Sequence, residues 1–288
     1  MATEIHRDQT IPVSVVVLAK NEEVNIERCL RALTRFDEVV VVDDNSTDQT
    51  VAISRRLGAR VLDHRFVTFA GQRNWAMREG KLRHPWVLHL DADEVVDSTF
   101  CTELYSAVLN AESTIGAFCI CRRTILEGTW LRRSEGFPVW IMRLVHREKA
   151  VFQDQGHGEV AVPDIEGQIS QIVAPLTHYA FSKGLANWIA RHNAYSDREA
   201  KLEQELEQLR DPRSWTTIVR DKAARRTQMR QLSRKLPFRG FLRTLYHYIV
   251  KRGFLDGRAG WQYSYLMGTY ESWIVMKKRE LKAASKKS

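Results

Sequence analysis

Along the first hundred residues, short β-branched runs alternate with segments of helical periodicity, and polar, acidic residues close three of the runs. Residues 12–18 make one buried strand and end on Lys20-Asn21-Glu22. Residues 21–33 then place Val24, Ile26, Leu30 and Leu33 near helical spacing, behind an Asn-Glu-Glu opening that suits a helix N-terminus. Residues 38–42 are a second run, closed by Asp43-Asp44-Asn45-Ser46. A helix over 47–57, a strand over 59–62 and a helix over 71–79 follow. Residues 86–90 form a fourth strand, closed by Asp91-Ala92-Asp93-Glu94. This alternation predicts an α/β fold: a mostly parallel, Rossmann-like sheet flanked by helices on both faces, with right-handed crossovers.

Beyond residue 98 the pattern changes. A helix is expected over 99–110, and shorter, partly antiparallel strands over 117–122, 139–145 and 159–162. A long charged helix covers 181–209, with breaks at Asp211-Pro212 and Leu236-Pro237. Basic amphipathic helices follow over 238–251 and 261–282. Charge divides at the same place. Up to Ala180, 20 lysines and arginines face 25 carboxylates; from Phe181 onward, 24 face 10. Two jobs in one chain are expected: an α/β domain over 1–180 and a basic helical extension over 181–288. The basic half asks for an anionic partner, whether nucleic acid, a phospholipid surface or a phosphorylated glycan.

Other classes are disfavoured. No run approaches eighteen apolar residues, so no membrane-spanning helix is expected. Met1 to Gln9 carries no apolar signal core. Cys29, Cys101, Cys119 and Cys121 lack zinc or redox spacing, which favours free thiols in a reducing cytoplasm.

In an open parallel sheet, ligands sit at the carboxyl ends of the strands. Three acidic loops would converge there. Crowded carboxylates need a cation, a proton or hydrogen-bond donors. An Asp-x-Asp turn can present oxygens to a hard divalent ion, which in turn grips a diphosphate. The two common glycine-rich phosphate loops are missing from the sequence. Taken alone, Asp44-Asn45-Ser46-Thr47 reads equally well as a turn into a helix cap.

Leu18-Ala19-Lys20-Asn21-Glu22, the stretch Val40 to Thr50, Gln72-Arg73-Asn74 and Leu90-Asp91-Ala92-Asp93-Glu94, in this order, resemble glycosyltransferase family 2 over roughly residues 11 to 100. A patchier likeness extends over Thr177-His178-Tyr179, the stretch Arg191 to Ser196, and Gly253-Phe254-Leu255-Asp256-Gly257. It is similar to the bacterial subgroup containing lipopolysaccharide inner-core beta-glucosyltransferases.

The resemblance implies a GT-A fold and an inverting transfer from a UDP-sugar, with glucose the subgroup's sugar, to a lipid-linked or cell-envelope glycan. It implies that Asn21, Glu22 and Asp44, with Asp43 nearby, hold base and ribose. Arg73 and Asn74 would lie along the donor site. Asp91 and Asp93 would bind Mg²⁺ or Mn²⁺, with Asp91 also near the ribose, and the metal would neutralise the departing diphosphate. Inversion by direct displacement needs a carboxylate base. Glu159 is the candidate; a glycine separates it from His157, and His157 and Asp154 are the alternatives.

Other residues carry two readings each. Arg122, Arg123, Arg132, Arg133 and Arg143 are donor or acceptor contacts, or solvated surface charge. Trp130 and Trp140 stack on sugar, or pack. His178, Tyr179 and Asn193 read as local structural contacts. Asp256 is an acceptor contact, or the cap of a helix starting near Gly260.

The stretch 220–252 interleaves Arg225, Arg226, Arg230, Arg234, Arg239 and Arg243 with apolar residues, and Trp261, Tyr263, Tyr265, Tyr270 and Trp273 follow. Such helices suit an anionic bilayer. The expectation is a peripheral enzyme at the cytoplasmic face of the cell membrane; the alternative packs these stripes on the catalytic domain. Two rival functions remain. A nucleotidyltransferase would need a glycine-rich loop and basic residues near the first strand, where only Lys20 is available. Nucleic-acid binding through the basic half has the charge but none of the usual motifs, so no nucleic-acid partner is expected.

Overall fold

The β-branched runs become the centre of a nine-stranded sheet in the computed structural model, which describes residues 9–155, 160–208 and 236–285. Two compact units emerge: Met1–Trp130 with Phe137–Lys183, and Leu131–Gly136 with Gly184–Ser288. Against the expected division at 180/181, the segment 131–136 joins the helical unit.

In the first unit, β1 (Ile11–Ala19) lies between β2 (Phe36–Asp43) and β4 (Trp86–Asp91), with β3 (Arg60–Asp63) outside β2. These four strands are parallel. The helices α1 (Ile26–Arg31), α2 (Thr50–Arg56), α3 (Phe69–Glu79) and α4 (Ser98–Leu109) belong to the same unit. Alternation along β1 shows how the sequence fixes the layers. Val13, Val15 and Val17 enter one buried cluster with Ile26, Leu30 and Phe100, while Val16 enters another with Ala76 and Met77. Each fully buried valine contributes about 2 kcal/mol of transfer free energy.

The remaining strands make the sheet mixed, as expected. β8 (Val139–His146) runs antiparallel to β4 and to β6 (Ile115–Leu126). β11 (Gln168–His178) is parallel to β6, and β5 (Glu94–Val95) adds to it antiparallel. β7 (Thr129–Trp130) pairs with the end of β6. β9 (Ala150–Gln155) and β10 (Val160–Ile165) form a separate two-stranded sheet.

Several expected boundaries move. The first helix starts at Ile26 instead of residue 21, because residues 21–25 serve the loop, with Asn21 in the left-handed region at φ 51°. β11 has no counterpart among the expected strands. Its exposed end, rich in glutamine and serine, carries little apolar signal.

The second unit holds α5 (Gly184–Gln208), α6 (Arg239–Leu245) and α7 (Gly257–Ala284). The helix expected over 238–251 is α6 followed by a π turn, Tyr246–Val250, and then a 3-10 turn, Gly253–Asp256. The break expected at 211–212 lies outside the described residues. Asp256 explains why 131–136 belongs here. Its carboxylate accepts from the Arg133 N–H (2.9 Å), the Ser134 N–H (2.7 Å) and the Ser134 hydroxyl (2.7 Å). It makes no side-chain cap on α7. Among the described residues, no helix is long and apolar enough to cross a membrane.

Candidate active site

Parallel register brings three loops side by side. Ala19 at the end of β1 pairs with Asp43 of β2, and Leu18 pairs with Asp91 of β4. Asp43 and Asp91 therefore flank the end of the central strand. The Asp44 N–H donates to the Ala19 carbonyl (3.0 Å), so the second loop starts level with the first.

The first two loops are stitched together by the residues expected to bind base and ribose. The Asn21 N–H donates to Ser46 Oγ (2.8 Å), and Asn21 Oδ1 accepts from the Thr47 N–H (2.8 Å). Asp43 accepts from the Ser46 N–H (2.8 Å) and hydroxyl. Asn45 sits at φ 52° to turn the chain. The Asp44 carboxylate receives Lys20 Nζ (2.6 Å) and the Phe66 N–H (2.9 Å). Burial raises its pKa, but those donors outweigh burial and hold it below the usual carboxylate value. Glu22 accepts from Asn25 Nδ2 (2.7 Å) and Lys183 Nζ. Burial, aided by the Asp93 charge, pushes Glu22 up despite these partners.

The third loop carries a closed set of charges. Arg73 Nη2 donates to Asp91 Oδ1 (3.1 Å), and Arg143 Nη2 donates to Asp91 Oδ2 (2.6 Å) and Glu94 Oε1 (3.1 Å). Glu94 Oε2 accepts from the Asp91 N–H (3.0 Å). Burial would raise Asp91, yet the two guanidinium groups hold it well below the carboxylate range. Burial and the Arg143 charge push Arg73 down to about 10. His89, two residues before Asp91 on β4, is fully buried. Burial and both arginines keep its imidazole neutral.

Asp93 faces elsewhere. Its Oδ2 lies 3.5 Å from Nε2 of His178, at the end of β11, and the Tyr179 N–H donates to the Asp93 carbonyl (2.9 Å). Burial lowers His178, but the Asp93 carboxylate more than restores it and raises the imidazole above its usual value.

The two members of the expected metal pair have different neighbours. Asp91 offers each oxygen to a guanidinium, whereas Asp93 faces an imidazole. Adjacent ligands about 2.1 Å from an octahedral Mg²⁺ stand about 3 Å apart. The Asp93–His178 separation is close to that and longer than a good hydrogen bond. The two atoms are spaced as two ligands of one divalent ion would be, and an ion bound there would have to displace the proton that His178 holds toward Asp93. Among the described residues, no cluster of three His, Cys, Asp or Glu side chains forms a protein-only cage.

Other expected residues take definite places. Asn74 spends its amide on β9, donating to the Phe152 carbonyl and accepting from the Phe152 N–H, both at 2.8 Å. Asp154 accepts from the Ala70 N–H (3.1 Å) at the start of α3. Glu159 and His157 lie outside the described residues. Arg123 donates to Thr177 Oγ1 (2.7 Å).

Sequence reasoning gave no role to Glu94 or Lys183, left Arg143 between a ligand contact and surface charge, and read His178 as a local structural contact. Glu94 adjoins the acidic motif and was legible there. Arg143 depends on β8 lying beside β4, a pairing that no local pattern announces.

Known proteins resemble this chain in sequence and in fold. The profile of "Glycosyl transferase family 2" matches residues 14–163. A lipopolysaccharide core biosynthesis glycosyltransferase of Rhizobium meliloti is 28% identical over 215 residues, covering 72% of this chain and 77% of that protein. An uncharacterized glycosyltransferase of Rickettsia conorii is 35% identical over 101 residues, or 35% of each chain. This chain thus spans about a third of the length of the Rickettsia relatives it matches. A mannosyltransferase from Pyrobaculum calidifontis, solved with GDP-mannose and Mn²⁺, shares the fold with a TM-score of 0.51 at 15% identity, over 94% of this chain and 88% of that one.

Proposed function

The chain belongs to glycosyl transferase family 2, and we propose that it is an inverting hexosyltransferase that moves glucose from UDP-glucose to a lipid-linked glycan of the lipopolysaccharide inner core. One observation carries this reading. Parallel register sets Asp43 and Asp91 on either side of the end of β1, in the crevice where an open α/β sheet takes its ligand. The 28% identical relative, a lipopolysaccharide core enzyme by name, supports the acceptor class.

The contacts support the following roles. Asp44 and Glu22 hold the nucleoside, on loops kept in place by Asn21 and Asp43. Arg73 and Arg143 fix Asp91 as a carboxylate beside the ribose. Asp93 and His178 hold Mg²⁺ or Mn²⁺. When bound, that ion offsets the negative charge gathering on the departing UDP. Glu159 is the base that takes the proton from the attacking acceptor hydroxyl; His157 and Asp154 are the alternatives, and Asp154 already accepts from the Ala70 N–H. The basic unit brings the enzyme to the anionic cytoplasmic face of the cell membrane, where a lipid-linked acceptor is presented.

Metal-dependent release of UDP from UDP-glucose tests the reading. Turnover with Mn²⁺ that EDTA abolishes is expected. No UDP release from any UDP-sugar, together with tight and steeply salt-dependent RNA or DNA binding, would replace it with the nucleic-acid reading. Glu159→Gln should lower glucosyl transfer roughly a hundred-fold or more if Glu159 is the base.

A further inference from the structure

The second unit turns a set of large apolar side chains toward solvent at one rigid corner. The corner runs from the π turn through the 3-10 turn into the first turns of α7. Val250 is 68% exposed and Leu255 58%, and Ile249, Phe254 and Trp261 are each close to half exposed or more. Phe254 and Trp261 lie against one ring. The Tyr248 ring meets Trp261 at 5.2 Å and Phe254 at 6.3 Å, both edge-on. A patch of this kind on a soluble unit marks an interaction site.

The backbone beneath it is fixed. Arg252 has φ 59° and Gly257 φ 61°, so both ends of the 3-10 turn sit at positive φ. A Cβ on Gly253 would strike the His247 carbonyl, and one on Gly260 would strike Gly253. The Asp256 carboxylate is tied to the backbone of 133–134. His247 Nδ1 donates to the Ser134 carbonyl (2.7 Å) behind the same turn. Phe254 and Leu255 are thus held outward by a packed support, so an apolar partner pays little ordering entropy to meet them.

Charge identifies the partner. Arg252 and Arg258 flank the 3-10 turn, both exposed, and neither has a carboxylate within ion-pair distance among the described residues. The other basic residues nearby are engaged: Arg239 with Glu203 and Glu271, and Lys251 with the Glu135 carbonyl. Aliphatic tips, an indole beside them and two uncompensated guanidinium groups match a bilayer in depth order: acyl chains, interface, phosphate.

We propose that the 249–261 corner is the element that inserts into an anionic phospholipid surface, with Phe254 and Leu255 entering the acyl boundary and Arg252 and Arg258 meeting lipid phosphates. The proposal rests on the membrane reading above and names the surface that performs it.

Co-sedimentation of the full chain with vesicles tests it. The wild type should bind phosphatidylglycerol/phosphatidylethanolamine vesicles at low salt and bind phosphatidylcholine vesicles weakly. The Phe254→Ser/Leu255→Ser double variant should lose about a hundred-fold in partitioning, about tenfold per buried side chain. Arg252→Ser/Arg258→Ser should lose more than tenfold, about fivefold per charge. All four side chains are exposed, so the thermal midpoint and UDP release should stay at wild-type values. Brominated lipids should quench tryptophan fluorescence in the wild type and much less in Trp261→Phe.

If the wild type binds vesicles and the Phe254/Leu255 variant binds equally well, the corner is not the inserting element, while the membrane reading stands. If the wild type binds no anionic vesicle, both fall. If the patch instead pairs two copies, the wild type will run as a dimer that the double variant abolishes, without vesicle binding; that outcome also overturns the proposal.

Discussion

Arg143 Nη2 stands 2.6 Å from Asp91 Oδ2 and 3.1 Å from Glu94 Oε1, so one guanidinium from β8 bridges two carboxylates of the acidic loop after β4. Two arginines and two carboxylates close on themselves there, with little charge left over. Removing one member leaves buried charge unmatched. Arg143→Met is expected to cost about 3 kcal/mol or more in stability. It should also raise the Asp91 pKa toward the ordinary carboxylate value, because the strongest counter-charge is gone. UDP release should fall with it. Arg143→Lys should recover part of the stability but less of the turnover, since an ammonium does not reproduce the fork. Urea denaturation and UDP-release assays on the two variants check this.

Asp93 and His178 give a different expectation. If they share the divalent ion, Asp93→Asn and His178→Ala should each raise the Mn²⁺ concentration for half-maximal turnover by roughly tenfold or more. Both variants lose the Asp93–His178 ion pair, so their metal-free thermal midpoints should fall somewhat, and the shift in Mn²⁺ dependence is the readout that loss of the pair alone would not give. A metal titration of UDP release reads it out. Unchanged half-saturation in both would remove the pair as ligands.

How far the sequence reached depends on the range of each interaction. The alternation of β1, β2 and β4 with their helices was legible because burial on both faces leaves continuous β-branched runs. The acidic ends were legible because they follow those runs directly. The bridge made by Arg143 was not, because its partner Asp91 lies 52 residues earlier, on a strand that runs antiparallel to its own; as one arginine among five it stayed between a ligand contact and surface charge. His178 reaches Asp93 through the β11–β5 pairing, and β5 is two residues long, too short to leave a pattern. The tie that Asp256 makes was hidden for the same reason: its partners, Arg133 and Ser134, lie more than 120 residues earlier in the chain.

The second unit should be acid-sensitive through His247. Its ring is almost fully buried. Burial pushes its pKa from 6.5 to about 4, with the Arg243 and Lys251 charges adding to the effect and the Ser134 carbonyl opposing it. A depressed histidine is neutral in the folded state while the unfolded chain takes up a proton. Its stability contribution is whole above pH 6.5 and is lost as pH falls toward 4, by about 3 kcal/mol. The thermal midpoint should therefore drop across that window. His247→Gln, which takes up no proton, should show a shallower drop. Parallel curves for the two proteins would show that His247 does not set the acid response.

The crossing of α6 and α7 leaves no room for a methyl group. A Cβ on Gly268 would run into Thr244 Oγ1 and the Gly240 carbonyl, and one on Gly240 into Ser272 and the Gly268 carbonyl. Alanine normally favours a helix over glycine by about 1 kcal/mol. Here the backbone contact should override propensity, because carbonyl oxygens of the facing helix cannot rotate away as a side chain can. Gly268→Ala is expected to destabilise by about 1–3 kcal/mol, the range for overpacking. Glu280→Ala, an exposed position on the same helix, should stay within about 0.5 kcal/mol of wild type. Denaturant midpoints of the two variants decide it: if Gly268→Ala is neutral or stabilising, α6 and α7 are not in close contact at this crossing.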